Sequence, residues 1–392
     1  MNPSQTNAHP GLSEAAIKLR LLIPGFLISR AIQVAAYLDL ANHLRDGDKD
    51  GAELAALCGA HAPTLARLMR MLVSNGVFAE TNGRFFNNEV SALLRSDVPG
   101  SMRATARMYG SDFQWLPAQA LMHSVLTGES AFQHVFGEEV FSYLSHHPNK
   151  AQLFDEAMVS GSELINRAIV EAYDFSGFAT LVDVAGGYGS TICSILIEHP
   201  NLQGTLFDLP HLASKAQAFV ESKGLRQRCT LVGGSFLESV PKGADAYFMK
   251  HIIHDWDDDR CLQLLRNCHV AMPDHAKLLV CEKVLPEGNA AAYTRILDIV
   301  MLLNTPGGRE RTEQEYRLLF EKADFRLTRL SSATTRYFFT TSARTTTKPI
   351  AITNAPWKPI RSTRLSSAIM LVSFWPSNNR TRVGSFSTAV KS

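Results

Sequence analysis

No aspartate or glutamate follows Asp324. Residues 325–392 carry 11 Lys plus Arg and no acid, so the overall charge of +2 hides an asymmetry. The first 324 residues hold 28 basic against 37 acidic side chains, a net −9. A body that acidic is a poor general binder of nucleic acid. Cysteine is scarce: six residues (58, 193, 229, 261, 268, 281), with no CxxC pair and no metal-ligand spacing. This argues against a disulfide framework and against a bound metal. It suits buried thiols of a reducing, cytoplasmic compartment. The N-terminus has no basic stretch leading into an apolar core, so no secretory signal is read there. No apolar run approaches the ~20 residues that span a bilayer, so no membrane partner is expected.

What is present is a chain of 392 residues, 45% hydrophobic, enough for two globular domains and an extra segment. Residues 1–15 read as a flexible arm. From residue 16 to 44 the chain is strongly apolar at helical spacing, interrupted by Pro24-Gly25. Helices this apolar pack in a core or against another subunit. Residues 51–94 read helix, turn, helix, then a hairpin turning at Asn82-Gly83, a winged-helix pattern. Such a module binds DNA or mediates dimerisation. Its second helix offers only Arg67 and Arg70 as cations, which favours dimerisation. The resulting division is an arm (1–15), a winged-helix domain (16–100) and a helical region with a substrate pocket (101–177). A cofactor-binding domain (178–330) and a basic Ser/Thr-rich tail (331–392) follow.

From residue 178 strands and helices alternate, which predicts an α/β fold with a Rossmann-like, doubly wound parallel sheet. Ligands in such sheets bind beyond the carboxyl ends of the strands. The first strand runs into LVDVAGGYGS, with Gly186, Gly187 and Gly189 within four positions. Strand, glycine turn and helix start together let backbone approach a ligand. Asp208 ends the next strand, nineteen residues after Gly189, where an acid reaches ribose hydroxyls. Asp183, three positions before the first glycine, would repel a pyrophosphate. It suits a phosphate-free, cationic nucleoside such as S-adenosylmethionine.

The fourth strand leads into Lys250, His254 and Asp255, and the fifth ends at Glu282. The loop TPGGRERTEQEY carries Glu310. One imidazole and two carboxylates from three segments thus converge above the sheet. A carboxylate beside an imidazole fixes its tautomer and favours the imidazolium, which is the arrangement of a general base.

The segments LVDVAGGYG, LFDLP, VGGSFLESVPKGADAYFMKHIIHDWDDDRC, CEKVLPEG and PGGRERT resemble the S-adenosylmethionine-dependent O-methyltransferases. The likeness is to the plant caffeic-acid-type and bacterial small-molecule enzymes, over residues 16–330. The winged-helix region resembles that family's dimerisation domain, which implies a homodimer. The resemblance implies that Gly186, Gly187 and Gly189 cradle the methionine end of the cofactor and Asp208 holds its ribose. It implies that Phe236 packs on adenine and that Lys250, Asp255, Met158 and Ser162 reach the cofactor region. His254 would accept the proton, oriented by Glu282 and Glu310. Met301 and Asn304 would face a small hydroxylated acceptor.

Two features depart from the family. Ser235 stands where the family usually has an acid contacting adenine, which weakens that contact. The family ends with a strand pair, whereas this chain continues into a long acid-free segment whose composition reads as a solvated tail. The abrupt change also fits a shift of reading frame. A ligand-sensing transcriptional regulator is a second reading, which the acidic body disfavours. A nicotinamide dehydrogenase is a third, disfavoured by Asp183 and by GGxG in place of GxGxxG spacing.

Overall fold

A computed structural model describes residues 13–286, 288, 292–332 and 367–374. Helix α1 (Glu14–Leu22) is capped by Ser13, whose hydroxyl accepts from the Ala16 N–H. Helix α2 (Gly25–Tyr37) starts at Pro24, where a missing N–H costs nothing. The proline therefore interrupts the apolar letters without ending the helical path. The stretch Glu14–Tyr37 spans 24 residues and is long and apolar enough, by length and composition, to cross a membrane. The expectation that no run reaches that length is corrected here. Leu22, Ile23 and Phe26 on this stretch are exposed.

Helices α3 (Leu40–His43), α4 (Gly51–Cys58) and α5 (Ala62–Ser74) precede the hairpin β1 (Ala79–Thr81) and β2 (Arg84–Phe86). Asp50 and Glu53 close a capping box on α4. Asn82 and Gly83 both have positive φ, as a tight hairpin turn demands. Leu54, Leu65, Met69, Leu72, Phe78 and Phe85 form one small core. Helix α6 (Glu89–Ala92) ends this unit. Helices α7 (Arg103–Tyr109), α8 (Asp112–Gln119), α9 (Leu121–Thr127), α10 (Ala131–Phe136) and α11 (Val140–His146) follow. The long α12 (Pro148–Ala172) packs on α7 at one side and on the next domain at the other.

The second domain alternates as expected: β3 (Thr180–Val184), α13 (Ser190–Glu198), β4 (Gln203–Asp208), α14 (Ala213–Ser222) and β5 (Cys229–Gly233). Then come β6 (Ala246–Lys250), α15 (Asp258–Ala271), β7 (Lys277–Lys283), α16 (Ala292–Asn304) and α17 (Glu313–Lys322). Strands β8 (Phe325–Ser332) and β9 (Ser367–Phe374) complete a seven-stranded sheet of order β5-β4-β3-β6-β7-β9-β8. Strands β3 to β7 pair in parallel, and β9 is antiparallel to both neighbours. Alternation along the strands splits the core. Leu181, Phe248 and Leu279 lie with residues of α12 and α13, and Tyr247, Met249 and Val280 with residues of α15 and α17.

The chain builds outward from β3 to β5, then returns to place β6 on the other side of β3. That reversal makes a crevice above β3 and β6, the position where such sheets bind ligands. The glycine turn follows β3, and the Lys250–His254 segment follows β6.

The expectation that all of 331–392 stays outside the fold as a disordered tail is corrected. Residues 367–374, SAIMLVSF, insert as β9 between β7 and β8. The apolar run Ala368–Val372 within it is long enough for a short strand. Residues 333–366 and 375–392 lie outside the described residues.

Candidate active site

The glycine turn is shaped by what lies beneath it. Asp183 is buried, and a Cβ on Gly186 would fall 2.5 Å from its Oδ2 and from a Leu206 methyl. Gly189 has φ +84° and starts α13 with no side-chain cap, leaving the first-turn N–H groups open. Asp183 therefore sits below the turn rather than facing open space. Its Oδ2 has no hydrogen-bond partner. Burial pushes its pKa up to about 7, with Lys250 opposing and Asp208 adding to the rise. Asp208 accepts from the N–H of Gly187 and of Leu209, both at 2.7 Å. Its pKa is raised by burial against those two bonds. Gly187, Asp208, Leu209 and Gly233 line a shallow, open cleft beside α14.

Lys250 closes the other side. Its Nζ donates to Ser162 Oγ at 2.7 Å and to Asn166 Oδ1 at 3.2 Å. Burial pulls the amine down to about 8, while Cys281 and Asp183 hold it up. Asn166 in turn donates to Ser190 Oγ at 2.9 Å and accepts from Thr191 Oγ1 at 2.8 Å. One buried amide thus ties α12, β6 and the start of α13 together. Ser162 donates to the Met158 carbonyl at 2.6 Å, and the Met158 side chain is exposed. Phe236 meets Trp256 edge-on at 5.8 Å. Ser235 Oγ accepts from the Leu237 N–H at 3.3 Å, so this hydroxyl serves its own turn.

The second centre is His254, 6% exposed. Its Nδ1 lies 3.0 Å from Glu310 Oε1 and 3.8 Å from Glu282 Oε2. Its Nε2 lies 3.6 Å from Asp255 Oδ1. Burial opposes the charged ring, but Glu282, Asp255 and Glu310 together raise its pKa to about 9. Glu282 has a second duty: Oε1 accepts from the N–H groups of Ile252 and Ile253, at 2.9 and 2.7 Å. Arg311, fully buried, donates to the carbonyls of Ile253 and Trp256 at 2.8 and 2.9 Å and so clamps the same loop. Asp255 lies against His254. It follows His254 in a single 3₁₀ turn, Ile253–Asp255, which carries both side chains to one spot. Burial raises its pKa to about 7. Met301 and Asn304 are buried on α16. Asn304 donates to Gln114 at 3.3 Å, and its Oδ1 has no partner.

Two family descriptions match this chain: an O-methyltransferase domain over residues 119–326 and an O-methyltransferase dimerisation domain over residues 21–97. The chain belongs to the O-methyltransferase family. This methyltransferase is similar to a phenazine O-methyltransferase of Lysobacter antibioticus, 42% identical over 310 residues, covering 79% of this chain and 90% of that one. Its fold matches the crystal structure of LaPhzM with TM-score 0.80 at 37% identity, over 93% of this chain and all of that one. It also matches the calicheamicin-biosynthesis methyltransferase CalO1, solved with S-adenosylhomocysteine (SAH) bound. There the TM-score is 0.74 at 30% identity, over 93% of this chain and all of that one. The chain is an S-adenosylmethionine-dependent O-methyltransferase.

The residues of the methyltransferase fit that cofactor. Gly187 and Gly189 both have positive φ, and no side chain at Gly186 or Gly187 stands between the turn's backbone and a ligand, which suits close backbone approach. Asp208 is an acid at the strand end, where ribose hydroxyls are held. Among the described residues no cluster of metal-ligating side chains is found. Sequence reasoning missed Asn166 and the bond from Tyr188 to Asp155 Oδ2 at 2.6 Å. Neither partner pair is close in sequence. The spacing of Ser162 and Asn166, one helical turn apart on α12, was the available signal.

Proposed function

We propose that this methyltransferase methylates a phenolic hydroxyl of a small aromatic acceptor, with His254 as general base. The observation that carries the reading is the pair His254–Glu310. With Nδ1 turned to a carboxylate at 3.0 Å, Nε2 is the nitrogen left to take a proton. Bound S-adenosylmethionine supplies an electrophilic methyl group. Gly186, Gly187 and Gly189 with Asp208 hold it on one side, and Lys250 with Ser162 and Met158 on the other. Alignment of the two reactants by these groups contributes ~7–11 kcal/mol.

The raised pKa of His254 bears on the proton. An ordinary imidazole near 6.5 is a weak acceptor for a phenol near 10, uphill by about 5 kcal/mol. At about 9 the gap shrinks to one unit, about 1.4 kcal/mol. Glu310, Glu282 and Asp255 stabilise the imidazolium that forms. Below pH 9 the free enzyme therefore holds much of His254 already protonated, and the neutral base becomes available as pH rises.

The similar phenazine enzyme supports an aromatic acceptor, and buried Met301, one turn before Asn304 on α16, supplies apolar surface. The exposed apolar residues of α1 and α2, within the dimerisation region, support a homodimer that buries them. Six free thiols support a cytoplasmic setting. A hydroxylated-aromatic screen with methyl-labelled cofactor tests the reading. Label must appear on a phenolic oxygen, and wild-type protein that labels no phenol would overturn it.

A further inference from the structure

His251 is absorbed by none of these roles, yet its backbone, like that of Ala185 in the glycine turn, is unrelaxed. Its φ is +56°, a conformation that non-glycine residues rarely adopt. Strand β7 holds it there twice. The Cys281 carbonyl accepts its N–H at 3.0 Å, and the Lys283 ammonium lies 3.4 Å from its ring Nε2. The ring stacks beside that of His254, with centroids 5.4 Å apart and planes 29° apart.

Lys283 is the unusual partner. It is 6% exposed and forms no ion pair with a carboxylate among the described residues. A lysine ammonium only donates, so the Nε2 it meets must be the lone-pair nitrogen. The neutral ring then carries its hydrogen on Nδ1. Burial first, then Lys283, His254 and Lys250, keep the ring neutral and its pKa well below the usual value. The residue is only half-buried, and Nδ1 is not among the buried atoms lacking a partner. An N–H donor within a cluster of cations thus stands open beside the base.

We infer that His251 is a specificity-determining residue: locked by Lys283, its Nδ1–H binds a second atom of the acceptor next to the hydroxyl presented to His254. The acceptor class is then a phenol with an adjacent hydrogen-bond-accepting group, such as a carbonyl oxygen, a carboxylate or a ring nitrogen. This rests on the reading of His254 as base to a phenol. The geometry is plausible in scale, because two hydrogen bonds of ~2.8 Å from neighbouring rings converge on two adjacent atoms of one small ring.

Matched isomers test it: 2-hydroxyacetophenone against 4-hydroxyacetophenone, and salicylate against 4-hydroxybenzoate. The measurement is the ortho-to-para ratio of kcat/KM in wild type, His251→Phe, His251→Asn and Lys283→Met. Cofactor binding by calorimetry establishes that each variant is folded. The ratio should fall about 10-fold in His251→Phe, the worth of one hydrogen bond. It should stay within about 3-fold of wild type in His251→Asn, which keeps a donor and tolerates positive φ. Nitrogen-15 spectra of the wild type should show the Nδ1–H tautomer, and Lys283→Met should lose it together with part of the ratio. An unchanged ratio in His251→Phe, or an Nε2–H tautomer in wild type, would overturn the inference while leaving the phenol reading intact. Wild type that binds cofactor but methylates none of the four would overturn both.

Discussion

Glu310 Oε1 and His254 Nδ1 lie 3.0 Å apart, and both side chains are buried. They come from segments 56 residues apart and are held from behind: the Glu310 N–H donates to Asp298 at 2.9 Å. This pair holds Nδ1 against a carboxylate and leaves Nε2 as the ring nitrogen not held by Glu310.

Replacing the base is the most direct test. His254→Ala should lower turnover by roughly 10²–10⁴ while cofactor affinity, measured by calorimetry, stays within a few-fold. Unchanged turnover on a verified acceptor would remove His254 from the mechanism.

The pH profile should carry the mark of the carboxylates. With a pKa near 9, log kcat/KM rises with pH and levels off above that value. Glu310→Gln removes one raising influence, so the bend should move toward 6.5. The sign for stability runs the other way. A raised pKa stabilises the protonated fold, so this group's contribution is full below about 6.5 and is lost as pH climbs through about 9. Thermal melts from pH 6 to 10 check it.

The cofactor side should respond to Lys250. Lys250→Met removes a charged donor to Ser162 and Asn166. A cofactor Kd weaker by about 10-fold is expected, from a charge-assisted bond worth about 1.5 kcal/mol. Titration with S-adenosylhomocysteine reads it without turnover.

Gly186→Ala should be worse than its size suggests. The added methyl meets Asp183 Oδ2 and Leu206 at 2.5 Å. Overpacking of this kind costs about 1–3 kcal/mol, and the turn must shift away from Asp183 and Leu206, changing the backbone that would meet the cofactor. Loss of cofactor binding with a lowered Tm is expected. Binding equal to wild type would show that the turn has slack.

The late strand gives a test of the chain's end. Removing the segment after residue 332 strips β9 from between β7 and β8, leaving β7 without its antiparallel partner. The truncated protein should melt at a lower temperature than the full chain. Equal melting would mean that β9 contributes nothing to stability.

Much of this was legible in the sequence. The alternation of strands and helices, the glycine turn and the acids at strand ends are local patterns, set by side-chain period and backbone freedom. They determined the fold class and pointed to a nucleoside cofactor and to His254, Glu282 and Glu310, while the family came from the resemblance of whole segments such as LVDVAGGYG and PGGRERT. The membrane-length helix at Glu14–Tyr37 was misread because Pro24 looks like a break in letters but sits harmlessly at a helix start. The strand at Ser367–Phe374 was missed because composition was averaged over a tail that hides six apolar residues within eight positions.

Only the tertiary structure decided what depends on distance. Asp183 could be placed at a strand end from its letter. That it lies under Gly186 with an orphan oxygen required the packing of Leu206 from the neighbouring strand. Asp255 could be seen next to His254, yet which nitrogen it approaches follows from one 3₁₀ turn. The roles of Arg311 and Lys283 have no sequence signature, and that of Asn166 has only its spacing from Ser162. Hydrogen-bond partners and the field around a buried group are set by neighbours far along the chain, and periodicity reports none of them.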